Sequence, residues 1–139
     1  MRVVIDTNVI ISALIRDSIT REVIVKSGWQ LFYPEIVLHE IRKHKETILK
    51  KSGLSEKDHD DILGRLLKYI TLIPAEQCEL HLEEARKEIE KRDPCDVIFL
   101  AAALSLENSV IWSDDKDFEI QSKIKILKTK DIMDLFSAE

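Results

Sequence analysis

Glycine, proline, cysteine and aromatic residues are all scarce in this chain of 139 residues. Three glycines and three prolines leave little sequence for linkers, and there is no internal repeat or low-complexity segment. The two cysteines, Cys78 and Cys95, form neither a disulfide framework nor a zinc-ligand pattern. The apolar start, residues 1–15, is interrupted by polar side chains, so we expect neither a signal peptide nor a membrane span. These absences favour a cytoplasmic protein with reduced thiols.

The composition is that of a globular domain with a substantial core. Apolar residues make up 45% of the chain and charged residues 34%, and the length fits one domain over residues 1–139. The net charge of −5 argues against binding nucleic acid by overall electrostatic attraction. It does not exclude an enzyme that holds phosphates through metal ions, because bound cations reverse the local sign of an acidic site.

Short apolar runs alternate with helical patterns along the chain. The predicted strands are 3–5, 29–33, 71–73, 109–112 and 125–127. The predicted helices are 9–15, 20–27, 34–51, 55–67, a stretch containing 78–89, then 97–106 and 130–136. Because strands alternate with helices and the helices outweigh them, we predict a helix-rich three-layer α/β/α sandwich around a mainly parallel sheet.

Acidic residues follow two of these predicted strands directly. Asp6 comes after residues 3–5, and the acidic segment 113–117 comes after residues 110–112. Open parallel sheets bind ligands beyond the carboxyl ends of their strands, so neighbouring strands would bring these carboxylates into one cleft. Each position alone fits a solvated loop or a helix cap equally well. Their joint placement favours a functional site.

A third acidic position opens the very apolar helix 97–106. Asp93 fits its N-cap and Pro94 its first turn, while Asp96 fits either a favourable first-turn charge or a site residue. Carboxylates crowded together repel one another unless a cation is bound. Hard oxygen ligands suit Mg²⁺ or Mn²⁺, ions that activate water and stabilise phosphoryl displacement. The pattern therefore predicts a divalent-metal site that acts on phosphate esters.

Taken in order, these motifs resemble those of the PIN domain family. The matching motifs are Asp6-Thr7-Asn8 after a hydrophobic strand, Glu40 within residues 37–41, Asp96 before an alanine-rich helix, and residues 113–118 after a late strand. Their order and spacing match over essentially the whole chain, and the combination is more specific than any single motif. The resemblance implies an α/β/α nuclease, Mg²⁺ or Mn²⁺ as cofactor, and hydrolysis of phosphodiester bonds in single-stranded RNA.

The resemblance also assigns roles to individual acids. Asp6, Glu40, Asp96 and Asp115 resemble the four catalytic and metal-binding acids, with Asp117 as an accessory metal ligand. We expect Asp6 and Asp96 to anchor the principal ion. Glu40 depends on the family pattern alone, since its own surroundings are those of an ordinary helix-boundary glutamate.

Three further residues are expected to support the acids. Asn8 resembles the polar companion of the first acid, and Ser113 stands where threonine is commoner in the family. Asp93 is close enough in sequence to share the third acidic position with Asp96. Asp115 is preferred to Asp114 because it lies three residues before Phe118.

The candidate partners come from a basic stretch and from the family. On a continuous helix, Lys43, His44 and Lys51 continue the face of Glu40 and become candidate RNA contacts, although a solvated helix face explains them as well. Many PIN domains are toxins of VapBC-type toxin–antitoxin pairs, and others process ribosomal RNA. The resemblance therefore implies an antitoxin or a homodimer contact through the early helices, residues 10–25, and leaves both biological roles open.

Two other functions compete with a metal-dependent endoribonuclease. A haloacid-dehalogenase-like phosphatase also opens with a strand and Asp-x-Asp, but Asn8 occupies the place of its second acid. A non-catalytic PIN scaffold that binds RNA or protein would have no need to retain all four acids. We therefore predict the ribonuclease.

Overall fold

The computed structural model describes residues 1–15, 18–89 and 94–138, which form five strands and nine α-helices. The strands are β1 (Arg2–Ile5), β2 (Gln30–Pro34), β3 (Ile70–Ile73), β4 (Ser109–Trp112) and β5 (Lys125–Leu127). The helices are α1 (Thr7–Ile15), α2 (Ser18–Lys26), α3 (Ile36–Lys43), α4 (Lys45–Ser52), α5 (Glu56–Leu67), α6 (Ala75–Glu79), α7 (Leu82–Ile89), α8 (Pro94–Leu104) and α9 (Thr129–Ala138), with a 3₁₀ helix at Lys116–Ile120. Every predicted strand exists, and β4 and β5 have the predicted limits.

The five strands form one parallel sheet in the order β3-β2-β1-β4-β5. The chain leaves the central strand β1 toward β2 and β3, then crosses back to β4 on the other side of β1. The carboxyl ends of β1 and β4 therefore flank the topological switch point, where open α/β sheets bind their ligands. The expectation that the strands before Asp6 and Asp115 are neighbours is confirmed, since Ile5 pairs with Trp112.

The helices cover both faces of this sheet. Right-handed crossovers in opposite directions along a sheet place their helices on opposite faces, so α1–α5 lie on one face and α6–α8 on the other. In agreement, α1 contacts α2, α3, α4 and α5, while α8 contacts β1, β2 and β4 together with α6 and α7. The predicted helix-rich α/β/α sandwich is confirmed.

The carboxyl ends of β1 and β4 are part of the buried core. Val3, Val4 and Ile5 are completely buried because both faces of β1 are covered. Trp112 at the end of β4 is also completely buried, and its indole N–H donates to Thr129 Oγ1 at 3.0 Å. Trp112 is thus a core residue, whereas Trp29 lies just before β2 and is half-buried.

The predicted single helix over residues 34–51 is wrong. Pro34 is the last residue of β2, and the helix is interrupted at His44, whose backbone (φ −99°, ψ 12°) lies outside the helical region. The predicted helix containing residues 78–89 is likewise divided, into α6 and α7. Two helix ends have the residues that favour them: Gly53 ends α4 with φ 71°, and Ser55 Oγ caps α5 by accepting from the Asp58 backbone N–H at 3.1 Å.

None of the helices in the described parts of the chain is long and apolar enough to cross a membrane.

Candidate metal centre

A cavity of about 140 Å³ lies at the switch point between β1 and β4. Segments from four regions of the chain line it: the start of α1, the middle of α3, the start of α8 and the loop after β4. The described residues of its lining are Asp6, Thr7, Asn8, Glu40, Cys95, Asp96, Phe99, Asp115 and Asp117. The fold therefore brings to one cavity the five acids to which the resemblance assigned metal-binding roles.

Three of these acids form a tight group. Asp96, Asp115 and Asp117 each offer a carboxylate oxygen, and these three oxygens lie within 4.8 Å of one another. Asp96 is buried in the first turn of α8, while Asp115 and Asp117 are half-buried. Three negative charges this close repel strongly without a cation, and a set made only of oxygens is what Mg²⁺ and Mn²⁺ prefer. The donor set therefore fits a small divalent ion.

Asp6 approaches the same cavity from the end of β1. It is only 7% exposed, and its Oδ2 accepts a hydrogen bond from Ser113 Oγ at 2.7 Å. Burial raises the pKa of Asp6, and the charges of Asp115 and Glu40 raise it further, against the lowering effect of hydrogen bonds from Ser113 and the Asn8 backbone. The net result is a raised pKa, so Asp6 is a carboxylate whose charge a nearby cation would stabilise.

Ser113 joins the two strand ends that carry the site. Its completely buried hydroxyl donates to Asp6 and accepts from the Asp115 backbone N–H at 3.0 Å. Its own backbone N–H donates to the Leu127 carbonyl of β5 at 3.1 Å. One hydroxyl thus sets the position of Asp6 relative to the loop of Asp115. These contacts give Ser113 a structural role beside the acids that it was expected to support.

The tandem acids after β4 have separate environments. Asp114 accepts two hydrogen bonds from Thr129, from its backbone N–H at 2.8 Å and from its hydroxyl at 2.6 Å, and so holds the start of α9. Asp115 caps the 3₁₀ helix by accepting from the Asp117 backbone N–H at 2.9 Å, and it lines the cavity. The geometry therefore agrees with the choice of Asp115 over Asp114.

Glu40 is held in place by a residue that the sequence analysis did not assign to the site. Thr7 Oγ1 donates to Glu40 Oε1 at 2.6 Å, and Thr7 is buried in the first turn of α1. In the sequence, Thr7 stood out only as the middle residue of the Asp6-Thr7-Asn8 motif. The sequence feature that could have pointed to Thr7 is a hydroxyl side chain directly after Asp6. Cys95 and Phe99 also line the cavity without having been predicted.

The other predicted residues are not among the described lining of this cavity. Asp93 falls outside the described residues. Lys43, His44 and Lys51 are exposed, and none of them is among the described residues that line the acidic cavity. Their alignment with Glu40 assumed one continuous helix, and the interruption at His44 removes that assumption. An RNA contact at these residues stays a prediction.

The early helices are mostly buried, with two exposed apolar side chains. Val9, Ile10, Ala13 and Leu14 of α1 belong to the core, whereas Ile19 and Val25 of α2 are exposed. Among the described residues of the range 10–25, the exposed large apolar side chains therefore belong to α2, and a partner surface there stays a prediction.

Comparison with known proteins places this geometry in a family. The family model described as PIN domain matches residues 4–135. Three solved structures share the fold: VapBC2 from Rickettsia felis bound to a promoter DNA fragment (18% identity, TM-score 0.70), VapBC-1 from nontypeable Haemophilus influenzae (20%, 0.67) and DNA-bound VapBC from Salmonella typhimurium (18%, 0.68). Each alignment covers 92% of this chain and 98% of the other.

At these identities the structural likeness shows the fold and nothing more. No match was found among curated protein sequences. The family model, by contrast, extends over nearly the whole chain, from the middle of β1 to the last helix. The chain therefore belongs to the PIN domain family.

Proposed function

We propose that this protein is a divalent-metal-dependent ribonuclease that hydrolyses phosphodiester bonds in single-stranded RNA. The observation that carries the proposal is the group of Asp96, Asp115 and Asp117 oxygens within 4.8 Å, in a cavity that Asp6 and Glu40 also line. PIN domains are generally nucleases, which supports hydrolysis as the reaction. A structural carboxylate cluster without a ligand would only destabilise the fold, so the acids favour a functional explanation.

Asp96, Asp115 and Asp117 would hold the ion, with Asp6 and Glu40 completing the site directly or through water. Bound Mg²⁺ or Mn²⁺ supplies Lewis acidity that activates water and offsets the charge of the phosphoryl transition state. We expected Asp6 and Asp96 to anchor the ion; among the described residues, the group of oxygens within 4.8 Å contains Asp96 with Asp115 and Asp117 and does not contain Asp6. We therefore assign Asp6 to a position beside that group and not within it.

The chain's own side chains then orient the reactants. The Thr7 hydroxyl holds Glu40 by donating to Oε1, and the remaining lone pairs of this carboxylate would accept a hydrogen bond from the attacking water. Ser113 holds Asp6 by donating to Oδ2, which favours the charged form of a buried carboxylate. The uncompensated acids repel a phosphate, so RNA binding at this cavity depends on the cation.

The test is cleavage of a generic single-stranded RNA by the full chain, with Mg²⁺ or Mn²⁺ and with a chelator. Asp96→Asn and Asp6→Asn should abolish cleavage, while Asp61→Asn, the same change at an exposed position of α5, should leave it intact. Chelation should stop cleavage, and added Mn²⁺ should restore it. Cleavage that survives chelation, or that persists in Asp96→Asn, would contradict the proposal.

The same experiment separates the competing functions. A phosphatase substrate such as p-nitrophenyl phosphate is incubated beside the RNA. Hydrolysis of that ester without RNA cleavage would favour a phosphatase. RNA binding without turnover of either substrate, under any divalent ion, would favour a non-catalytic scaffold.

We further propose that the protein acts as the toxin of a toxin–antitoxin pair. The support is the match to three VapBC structures over 92% of this chain and 98% of theirs. Exposed Ile19 and Val25 on α2 provide apolar surface for an antitoxin or for a second copy. Induced expression in a bacterial host should arrest growth, and Asp96→Asn should relieve the arrest. Normal growth with soluble, cleavage-competent protein would argue instead for an RNA-processing role.

A further inference from the structure

A second and larger cavity, of about 400 Å³, adjoins the acidic one. The two cavities share Asp6, Asn8 and Asp115 as a common wall. Beyond that wall, the second cavity extends along α1 and α2 to the start of α9. Its other described lining residues are Val9, Ser12, Thr20, Asp114 and Thr129. A ligand bound at the shared acids can therefore continue into the second cavity without leaving the protein surface.

The volumes of the cavities suit different occupants. The acidic cavity of 140 Å³ holds an ion and a few waters, because one water takes up about 30 Å³. The second cavity of 400 Å³ lies within the range of about 300–1,000 Å³ that is usual for organic ligands. If a phosphate sits at the acids, the group attached to it has room only in the larger cavity.

The walls of the larger cavity are held by hydrogen bonds between elements. Asp114 ties the loop after β4 to Thr129 of α9 through two bonds. On the opposite side, the Arg21 guanidinium of α2 donates to the carbonyls of Ala13 and Leu14, the latter at 3.1 Å, and fixes α2 to the end of α1. The cavity is therefore preformed, which lowers the entropic cost of filling it.

The chemistry of the lining selects among ligands. Each Asp114 oxygen accepts one bond from Thr129 and keeps a further lone pair, so this carboxylate presents only acceptors, whereas the exposed Ser12 hydroxyl and Asn8 amide can accept or donate. The described lining contains buried apolar Val9 and no cationic side chain. At Asp114 such a surface accepts an N–H group from the edge of a ring and disfavours a carbonyl oxygen in the same place.

From this geometry we propose that the second cavity is a nucleoside pocket. It would seat the nucleotide next to the scissile phosphate and favour bases with an exocyclic amino group (adenine, cytosine and guanine) over uracil. This inference rests on the proposed function, because the shared acids must hold the phosphate through a cation. It adds a base preference to that function and assigns Ser12 and Asp114 to substrate recognition.

The pocket is tested by calorimetric titration of the Mn²⁺-loaded full chain with the 5′- and 3′-monophosphates of all four nucleosides and with inorganic phosphate. We expect the amino-bearing nucleotides to bind about tenfold more tightly than the uridine nucleotides or phosphate, the scale of one hydrogen bond to a charged acceptor. Whether the 5′ or the 3′ series binds tells on which side of the scissile bond the nucleoside lies.

Ser12→Phe blocks the pocket from the exposed face of α1, where the larger side chain does not enter the core. Nucleotide binding should weaken about tenfold, with Mn²⁺ affinity unchanged. Ser137→Phe, the same change at an exposed position of α9 outside the described lining of both cavities, should alter neither. Equal binding of all four nucleotides and phosphate would contradict the proposed nucleoside pocket. Undiminished nucleotide binding by Ser12→Phe would contradict it as well.

The two proposals fail in different ways. Base-selective nucleotide binding by a protein that cleaves no RNA would refute the ribonuclease and support the pocket. RNA cleavage that is lost in Asp96→Asn but has the same rate and base preference in Ser12→Phe would support the ribonuclease and refute the pocket.

Discussion

Asp115→Asn is expected to stabilise the metal-free protein while weakening its response to a metal. The substitution removes one charge from the acidic group with almost no change in shape. Asp115 Oδ1 accepts from the Asp117 backbone N–H at 2.9 Å, and an asparagine amide oxygen caps a helix about as well as a carboxylate. The backbone N–H of residue 115 still donates to Ser113. The difference between the two proteins is therefore mainly electrostatic.

The magnitude follows from the spacing of the carboxylates. Two unit charges 4.8 Å apart repel by about 3.5 kcal/mol at an effective dielectric constant of about 20, and by about 0.9 kcal/mol at about 80. Asp115 forms such pairs with Asp96 and with Asp117. Because Asp115 and Asp117 are half-exposed, the weaker limit applies, and removing both repulsions stabilises the folded protein by about 2 kcal/mol. For a domain of this size, that is a rise of about 5–8 °C in Tm.

The assay is thermal unfolding followed by circular dichroism, in chelator and in saturating Mn²⁺. Wild type should gain about 2.7 kcal/mol of stability at a Mn²⁺ concentration of about one hundred times Kd. Asp115→Asn should have the higher Tm in chelator and the smaller gain with Mn²⁺. Asp61→Asn removes an exposed charge on α5, outside the acidic group, and should change neither value.

A lower Tm for metal-free Asp115→Asn together with an undiminished Mn²⁺ response would refute the electrostatic reasoning. The same would follow if Asp61→Asn reproduced the gain, since the effect would then reflect net charge and not the site.

Three further predictions concern the residues around the acids. The raised pKa of Asp6 means that the folded state binds the Asp6 proton more tightly than the unfolded state does. Protonated Asp6 therefore contributes fully to the stability of the metal-free protein below the ordinary pKa of 3.8, and this contribution is lost as pH rises through the raised pKa. Asp6→Asn should remove the pH dependence of the free energy of unfolding over this range, as measured by urea unfolding. Ser113→Ala removes the 2.7 Å donor to buried Asp6 and should cost about 2 kcal/mol and weaken Mn²⁺ binding, whereas Ser113→Thr keeps the hydroxyl and the binding. Thr7→Val removes the 2.6 Å donor to Glu40 and should slow RNA cleavage about tenfold, with Thr7→Ser as control.

Each of these three predictions has a result that would contradict it. A pH–stability profile unchanged by Asp6→Asn would show that Asp6 titrates normally. Full Mn²⁺ affinity in Ser113→Ala would show that the Ser113 hydroxyl does not contribute to the metal site. Full cleavage by Thr7→Val would show that Glu40 does not need the Thr7 hydroxyl to position it.

The sheet was predictable from the sequence because a buried parallel strand is a short, continuous apolar run. Such runs mark β1 and β4 at the positions where the strands occur. The alternation of runs and helical patterns was enough to predict a parallel sheet covered on both faces. The neighbour relation of β1 and β4 was a hypothesis that the pairing of Ile5 with Trp112 confirmed.

The interruption at His44 was not predictable. No glycine or proline marks the position, and the amphipathic pattern continues through Ile41 and Ile48, which are both buried. A local backbone change at an ordinary residue leaves no trace in composition or periodicity, since packing of α3 and α4 against α1 decides it. The proposed alignment of Lys43 and Lys51 with Glu40 assumed a continuous helix, and an RNA contact there stays a prediction.

The sequence by itself singled out Asp6, Asp96 and the segment 113–117 as candidate site acids, because they stand at recognisable ends of strands and helices. Only the tertiary structure decided how they are used. It separated Asp114, bound to Thr129, from Asp115 in the cavity, and it grouped Asp115 with Asp96 and Asp117. These outcomes depend on distances between side chains far apart in the chain, and packing of helices on the sheet sets such distances.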